Sequence, residues 1–258
     1  MTTTTVAVLG LGEAGGLIAR DLVAAGAVVR GFDPRVPAPD GVQPASSDAD
    51  ACRGADLVLS VNSAADAVDA LQQGRPGCAP GVLWADLNTA APRRKQQVAE
   101  AAGDAVRVVD VAIMAPVPGR GLSVPMTASG PAAAAFAAAL RPLGATVEVL
   151  PGPIGAAATR KLLRSVFYKG MAAAVLEAVE AARAAGLAEW LEGNIRAEFD
   201  RTGPATFDRL MQGSRDHAVR RTDEMAAAAE LLADLGVPPR IATASRDWLS
   251  DLATRPRS

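Results

Sequence analysis

The chain has 258 residues, half of them apolar, with a formal net charge of −2 and an aromatic share of 3%. That length buries a core of normal depth in one large or two modest domains, and the charge and scarcity of aromatics exclude a basic groove with stacking platforms for nucleic acid. No charge-free apolar run reaches about eighteen residues and no basic stretch precedes the first apolar segment, so neither a membrane span nor a signal peptide is expected. Cys52 and Cys78 lie in no metal-ligand spacing and the chain has one histidine, so no metal site is expected and a reducing, cytoplasmic setting is the simple reading.

Val6 to Asp33 contains every part of a dinucleotide-binding βαβ unit in order. The apolar run Val6 to Leu9 predicts a strand, Gly10, Gly12 and Gly15 follow it, Glu13 to Ala25 has helical spacing, and Ala27 to Phe32 predicts a second strand ending in an acid. Gly10 allows the tight turn, Gly12 lets backbone approach a pyrophosphate, and Gly15 lets helix and strand pack closely. The N–H groups at the helix start, across Leu11, Glu13 and Ala14, face the phosphates. Asp33 falls where a carboxylate takes the hydroxyls of an adenosine ribose. The alternative is a glycine-rich turn in an ordinary parallel sheet.

Strand and helix patterns continue to alternate. Strands are expected at 55–61, 82–86, 106–112, 124–129 and 146–150, and helices at 64–73, 91–102 and 132–140, which makes a doubly wound α/β sheet of the Rossmann type. Pro151-Gly152-Pro153 ends this pattern. Beyond it no period-two run appears, and helical spacing recurs at 156–185, 188–199, 215–235 and 239–252, so residues 1–152 read as a nucleotide-binding domain and 153–258 as an all-helical one. The first of these helices is long and alanine-rich. Such a helix is expected to be buried on several sides, which suggests packing against another subunit in a homodimer.

GLGEAG at 10–15, DLNTAAP at 86–92, DVAIMAPVPGRG at 110–121 and GAAATRKLLRS at 155–165 together resemble the β-hydroxyacid dehydrogenase family, which includes 3-hydroxyisobutyrate dehydrogenase and relatives of 6-phosphogluconate dehydrogenase. The resemblance covers nearly the whole chain and is greatest to the branch whose helical C-terminal part carries a domain of unknown function. It implies an NAD(P)-dependent oxidoreductase acting on a small β-hydroxyacid or related alcohol. The family pattern of a glycine, a lysine six residues on and a polar residue three further falls on Gly155, Lys161 and Arg164. Lys161 thereby takes the position of the general acid/base, with Arg160 and Arg164 as neighbouring cations able to tune it. Lysine occurs only at 95, 161 and 169 in a chain that otherwise uses arginine, so a lysine calls for a reason. The plainer alternative is a helix-surface charge. Lys169, two turns on, reads as exposed.

By the same resemblance Asn88 and Thr89 are cofactor or substrate contacts, with an N-cap before Ala91 as an alternative or additional role. Asn62 and Ser63 are placed in the cofactor site by the rule that open α/β sheets bind ligands beyond the carboxyl ends of their strands. The family's Ser-Gly-Gly carboxylate cradle falls on Met114, Ala115 and Pro116, so that cradle is missing, and the family's Lys-Asp pair falls on Asp223-Glu224. Anion recognition is left to Arg164, Arg220, Arg221 and His217, the last equally readable as an exposed or capping histidine. Asp33 favours NAD over NADP, while Arg35 is a cation of the kind NADP-tolerant sites use. Two other functions stay open: an imine reductase on the same scaffold, against which Lys161 weighs, and a non-catalytic nucleotide sensor.

Overall fold

The computed structural model describes residues 3–255; the outermost residues of the two expected domains, 1–2 and 256–258, lie outside it. Strand β1 (Thr5–Leu9) carries Val6 and Val8 into one apolar cluster and Ala7 and Leu9 into another, and all four are fully buried. A strand apolar on both faces needs helices above and below it, which is the doubly wound arrangement. It is followed by α1 (Glu13–Ala24), β2 (Val28–Phe32), β3 (Gln43–Pro44), α2 (Asp48–Cys52), β4 (Leu57–Ser60), α3 (Ala67–Gly74), β5 (Val82–Asp86), α4 (Pro92–Ala102), β6 (Val106–Ile113), β7 (Met126–Ser129), α5 (Ala133–Leu140) and β8 (Val147–Val149). All eight strands form one sheet in the order β3-β2-β1-β4-β5-β6-β7-β8.

The sheet is parallel from β3 to β6, β7 runs antiparallel to β6, and β8 runs parallel to β7. The strand order reverses direction between β1 and β4, so their carboxyl ends open a crevice at the switch point. One face is filled by Ile18, Leu22, Leu59, Val109 and Phe136, the other by Trp84, Val58, Leu71, Val98 and Val108. Two elements escape the periodicity. β3 has two residues and α2 five, too short to show a period, and α2 is set by Ser47, whose hydroxyl accepts from the Asp50 N–H at 3.1 Å.

The chain divides into two compact units, Met1–Arg164 and Ser165–Ser258, with the division inside helix α6 (Ala156–Ala184). The second unit continues with α7 (Ala188–Asp200), α8 (Pro204–Asp216), α9 (Ala218–Asp234) and α10 (Arg240–Thr254). The single helix expected at 215–235 is part of a pair broken at His217, which leaves the helical region at φ −118°, ψ 24°. The turn Gly203-Pro204, with proline in the first turn of α8, starts a helix where the apolar pattern is weak. In the first turn of α10 the N–H groups of Ile241 and Ala242 each donate to the Glu177 carboxylate at 2.8 Å.

The buried cluster of this unit is small, made of Ala181, Ala229, Leu232 and Ala242, while Phe167, Leu176, Trp190, Phe207 and Trp248 are exposed. Within one chain α6 is therefore not buried on several sides, as its composition predicts, but exposed along most of 163–176. Among the described residues no helix is long and apolar enough to cross a membrane.

Phe136 is fully buried under β7 and β8. Phe136→Ala should destabilise the first unit by about 3–5 kcal/mol, the usual cost of deleting a buried aromatic side chain; urea unfolding followed by circular dichroism measures it.

Candidate functional site

The carboxyl ends of β1, β2 and β4 are level, since Leu9 pairs with both Phe32 and Ser60. Just past them Gly10 turns at φ +94°, where a Cβ would lie 2.5 Å from the Val61 carbonyl oxygen, and a Cβ on Gly15 would lie 1.9 Å from the Gly10 oxygen. Those two glycines are demanded by the protein's own packing. Gly12 is not: a Cβ there would meet nothing within 4 Å. Gly12 is also the N-cap of α1 and provides no side-chain cap, so the first N–H groups of the helix open onto that space. An uncapped helix start beside an empty approach fits a phosphate group.

Asp33 ties this loop to the one after β2. One carboxylate oxygen accepts from the Leu11 N–H at 2.8 Å, and the other from Arg35 N at 2.8 Å and Val36 N at 3.0 Å. Partial burial acts to raise its pKa, but the three N–H donors and the Arg35 charge outweigh that, and the carboxyl titrates below its ordinary value. Between the loops lies a cavity of about 390 Å³ lined by Gly10, Gly12, Asp33, Arg35, Asn62 and Ser63 among others. Asp48, Asp66 and Asp69 also line it, so four carboxylates face one guanidinium. Burial, reinforced by the Asp33 charge, pushes the Asp48 carboxyl up. Leu11, Glu13, Ala14 and Gly15 do not line the cavity; Leu11 and Gly15 are buried and Glu13 is exposed at the helix start.

Further along the sheet a polar row crosses four strands in register: Ser60 pairs with Asp86, Asp86 with Asp110, and Asp110 with Ser129. All four are buried. Asp86 and Asp110 lie on the side of their strands that carries Val82, Trp84, Val106 and Val108, whose apolar cluster includes Val98 and Ala102 of α4. From α4, Lys95 reaches the row with 1% of its surface exposed. Its Nζ donates to the Asp86 carbonyl at 2.7 Å and lies 3.2 Å from the Asp86 carboxylate and 3.4 Å from that of Asp110. The last of these is an ion pair without hydrogen-bond alignment, since that Asp110 oxygen has no hydrogen-bond partner.

Each aspartate then holds something else. Asp86 accepts from the Asn88 backbone N–H at 3.0 Å and from its side-chain amide at 2.8 Å; the same amide donates to Ser60, whose hydroxyl donates to Asn62 Oδ1 at 2.9 Å. Asp110 accepts from Gly155 N and Ala158 N, both at 3.0 Å, and Ser129 Oγ accepts from Ala157 N at 2.9 Å, so the start of α6 is bound to the row. One turn into α6, Lys161 Nζ donates to Thr89 Oγ1 at 2.7 Å. Asn88, Thr89, Lys95, Ala158 and Lys161 share one small pocket. Asn88 and Thr89 do not cap α4, whose N-cap is Ala91 with Pro92 following.

The structure thus brings together Asn62, Asn88, Thr89 and Lys161, and separately Gly10, Gly12, Asp33, Arg35, Asn62 and Ser63, with Asn62 common to both groups. Met114 and Pro116 lie in the loop after β6, outside both pockets; the loop base is closed by Met114 N donating to the Pro125 carbonyl at 2.8 Å, and Asp21 of α1 accepts from Leu122 N at 2.7 Å. Arg164 and Lys169 are exposed on α6. Arg160 is engaged by Glu148 at 2.6 Å. In the second unit His217 is exposed at the α8–α9 break, Arg220 pairs with Glu224, and Arg221 donates to Ser214 at 2.7 Å. Reading the sequence assigned no role to Lys95, Asp110 or Ser129. The signal was available: Lys95 lies on the buried stripe of α4 with Val98 and Ala102.

A doubly wound sheet with an uncapped glycine-rich turn and an acid-lined crevice at its switch point defines a dinucleotide-binding protein of the Rossmann class. More particularly, the chain belongs to the family of the NAD binding domain of 6-phosphogluconate dehydrogenase, which matches residues 5–135, and it carries a domain of unknown function (DUF1932) at residues 182–252. A 3-hydroxyisobutyrate dehydrogenase of Pseudomonas aeruginosa is 38% identical over 108 residues, a match spanning 38% of this chain and 36% of that relative's length. A conserved hypothetical protein from Sinorhizobium meliloti is 29% identical, with a TM-score of 0.62 over 96% of this chain and 88% of that one. A conserved protein described as structurally similar to 3-hydroxyacid dehydrogenases is 27% identical, with a TM-score of 0.61 over 96% and 97%. An imine reductase from Myxococcus stipitatus in complex with NADP+ shares the fold, at 19% identity and a TM-score of 0.79 over 96% and 93%.

The raised Asp48 carboxyl has a definite sign. A folded-state pKa above the ordinary 3.8 means that the folded chain holds this proton longer than the unfolded one, so stability falls as pH rises from 3.8 through the folded value. Asp48→Asn should therefore raise the melting temperature above that window and leave it unchanged below it; thermal scans across pH measure the difference.

Proposed function

We propose that this protein is an NAD(P)-dependent dehydrogenase or reductase that interconverts the CH–OH group of a small β-hydroxyacid, or a related alcohol, with its carbonyl, using Lys161 as general acid/base. The observation that carries this is the Lys161–Thr89 hydrogen bond at the carboxyl end of β5, joined through Asn88 and Ser60 to Asn62 of the acid-lined cavity. It supports a proton-handling amine at one end of a continuous polar line and a nucleotide cleft at the other. Residues 1–152 serve as the nucleotide-binding domain and 153–258 as the substrate and dimerisation domain.

When bound, the nicotinamide supplies hydride acceptance in oxidation and hydride donation in reduction. Lys161 Nζ takes the hydroxyl proton as the carbinol is oxidised. In reduction its ammonium form stabilises the developing oxyanion and returns the proton. Thr89 Oγ1 accepts one ammonium N–H and so aims the others. Gly10, Gly12 and the N–H groups from Gly12 to Gly15 hold the pyrophosphate, the Leu11 N–H being committed to Asp33; Asp33 takes the ribose hydroxyls, and Asn62, Ser63 and Asn88 border the nicotinamide half. Met114 and Pro116 offer no carboxylate cradle, so Arg164, three residues beyond Lys161 on the same helix face, is assigned the anionic end of the substrate.

Four carboxylates against one arginine in the cavity disfavour a 2′-phosphate, so NAD is the preferred cofactor. The exposed Phe167, Leu176, Trp190, Phe207 and Trp248 around a small helical core support a homodimer that covers them. The free thiols of Cys52 and Cys78 support a cytoplasmic setting.

Lys161→Ala should reduce turnover by about 10²–10⁴-fold, the usual loss with a general acid/base, and leave NAD affinity nearly unchanged. Lys161→Arg should be almost as damaging, because guanidinium keeps the charge but holds its proton near neutral pH. A fully active arginine variant would reduce Lys161 to an electrostatic role and end this reading. Asp33→Ala should weaken NAD about tenfold or more, as loss of a charged hydrogen bond does, and NADP less, in calorimetric titrations; equal losses would remove Asp33 from cofactor choice. Light scattering at micromolar concentration should show a dimer, and a monomer would contradict the proposed assembly.

A further inference from the structure

We propose that Lys95 is a positioning residue for Lys161: through Asp86 and Asp110 it holds the Thr89 loop and the start of α6 in the register that sets Lys161 Nζ against Thr89 Oγ1. The inference rests on the proposed function only in calling Lys161 catalytic. Lys161 and its acceptor belong to different elements, 72 residues apart in sequence. Each is anchored by one aspartate of the polar row. Asp86 holds Asn88, next to Thr89, by two hydrogen bonds, and Asp110 holds Gly155 N and Ala158 N, the latter one turn before Lys161. The two aspartates are register partners on neighbouring parallel strands, and Lys95 Nζ lies between them, 3.2 Å from one and 3.4 Å from the other.

Stability alone does not call for this arrangement, because a buried charge triad is matched or bettered by well-packed apolar residues of the same volume. What an apolar replacement could not do is bind two moving parts to one point. Asp86, Lys95 and Asp110 each have 2% or less of the side chain exposed, so no solvent ion replaces the ammonium. With the ammonium gone, the two buried carboxylates repel or share a proton between them, and the point that ties the loop to the helix start is lost. Arg94, the neighbour of Lys95, holds the preceding loop by donating to the Ala64 and Ala65 carbonyls at 3.1 and 2.6 Å, so α4 secures both loops that border the proposed site.

The chain has only three lysines, at 95, 161 and 169. Reductive ¹³C-methylation of the whole protein therefore gives resolvable side-chain signals: Lys95 is buried and silent, Lys169 serves as an internal reference, and the dimethylammonium of Lys161 keeps one N–H for Thr89. Methyl order parameters are compared in the wild type, Lys95→Met, the milder Lys95→Gln, and Thr89→Val as the calibration for a Lys161 without its acceptor. The expected result is that Lys95→Met lowers the order of Lys161 to the Thr89→Val level, a loss of about half its excess over Lys169 on the rigid-to-flexible scale, with Lys95→Gln between and Lys169 unmoved. An unchanged Lys161 signal in whichever variant folds overturns the proposal. Failure of both to fold also overturns it, by making Lys95 a residue of folding alone. Because no turnover is read, the result stands apart from the Lys161→Ala test: loss of the catalytic reading would leave the positioning result intact, and the reverse.

Discussion

Two aspartates buried side by side beneath a helix are the constraint on which the carboxyl end of this sheet depends. Neighbouring strands place register partners about 4.8 Å apart, and at an effective dielectric of about 20 two like charges at that separation repel by about 3 kcal/mol. A domain of ordinary stability has only about 5–15 kcal/mol in all, so the repulsion must be answered locally. Lys95 answers it from α4, while the Asp86 oxygen that faces it also holds the Asn88 loop and the other oxygen of Asp110 holds the start of α6. The antiparallel β7 completes the row by bringing Ser129 level with Asp110, where its hydroxyl accepts from Ala157 N at the start of α6.

The nucleotide crevice divides its labour differently. Its floor is backbone: Gly10 and Gly15 are compelled by contacts with Val61 and with each other, and Gly12 alone is left with open space. Its walls carry the charge, and Asp33 does two jobs at once by clasping the loops after β1 and β2 while facing the cavity. Association of a phosphate with such a floor needs no side chain, which frees the walls to discriminate between ligands.

The first strand, the glycine turn, α1, β5 and α6 were legible because each has a long run with a clear period or a fixed motif. Gln43–Pro44 and Asp48–Cys52 were not, being too short to repeat anything. The α8–α9 break was missed because His217 leaves helical geometry with neither glycine nor proline to mark it. For the site, separate motifs name Lys161 and Thr89, and only the structure joins them by a hydrogen bond, while the partners of that pair are invisible in the sequence as a set. In the sequence Asp86 stands in one motif, Asp110 opens another and Lys95 is one of three lysines. Only cross-strand register, which no single segment encodes, puts them in one line.

The segment between β6 and β7 leaves and re-enters the sheet through one closed gate, the Met114–Pro125 hydrogen bond, and is pinned to α1 by Asp21. Val117, Leu122 and Val124 of this segment are packed in the apolar core, while Pro116, Pro118, Gly119 and Arg120 are exposed, so those exposed positions can change without disturbing the strands on either side, whose register is kept by their own ladder. The fold behaves here as a chassis with an exchangeable part. Lineages descending from such a chain can drift in what those exposed positions contact while the frame beneath stays as it was, and new specificities can arise at the rim rather than by redesigning a core.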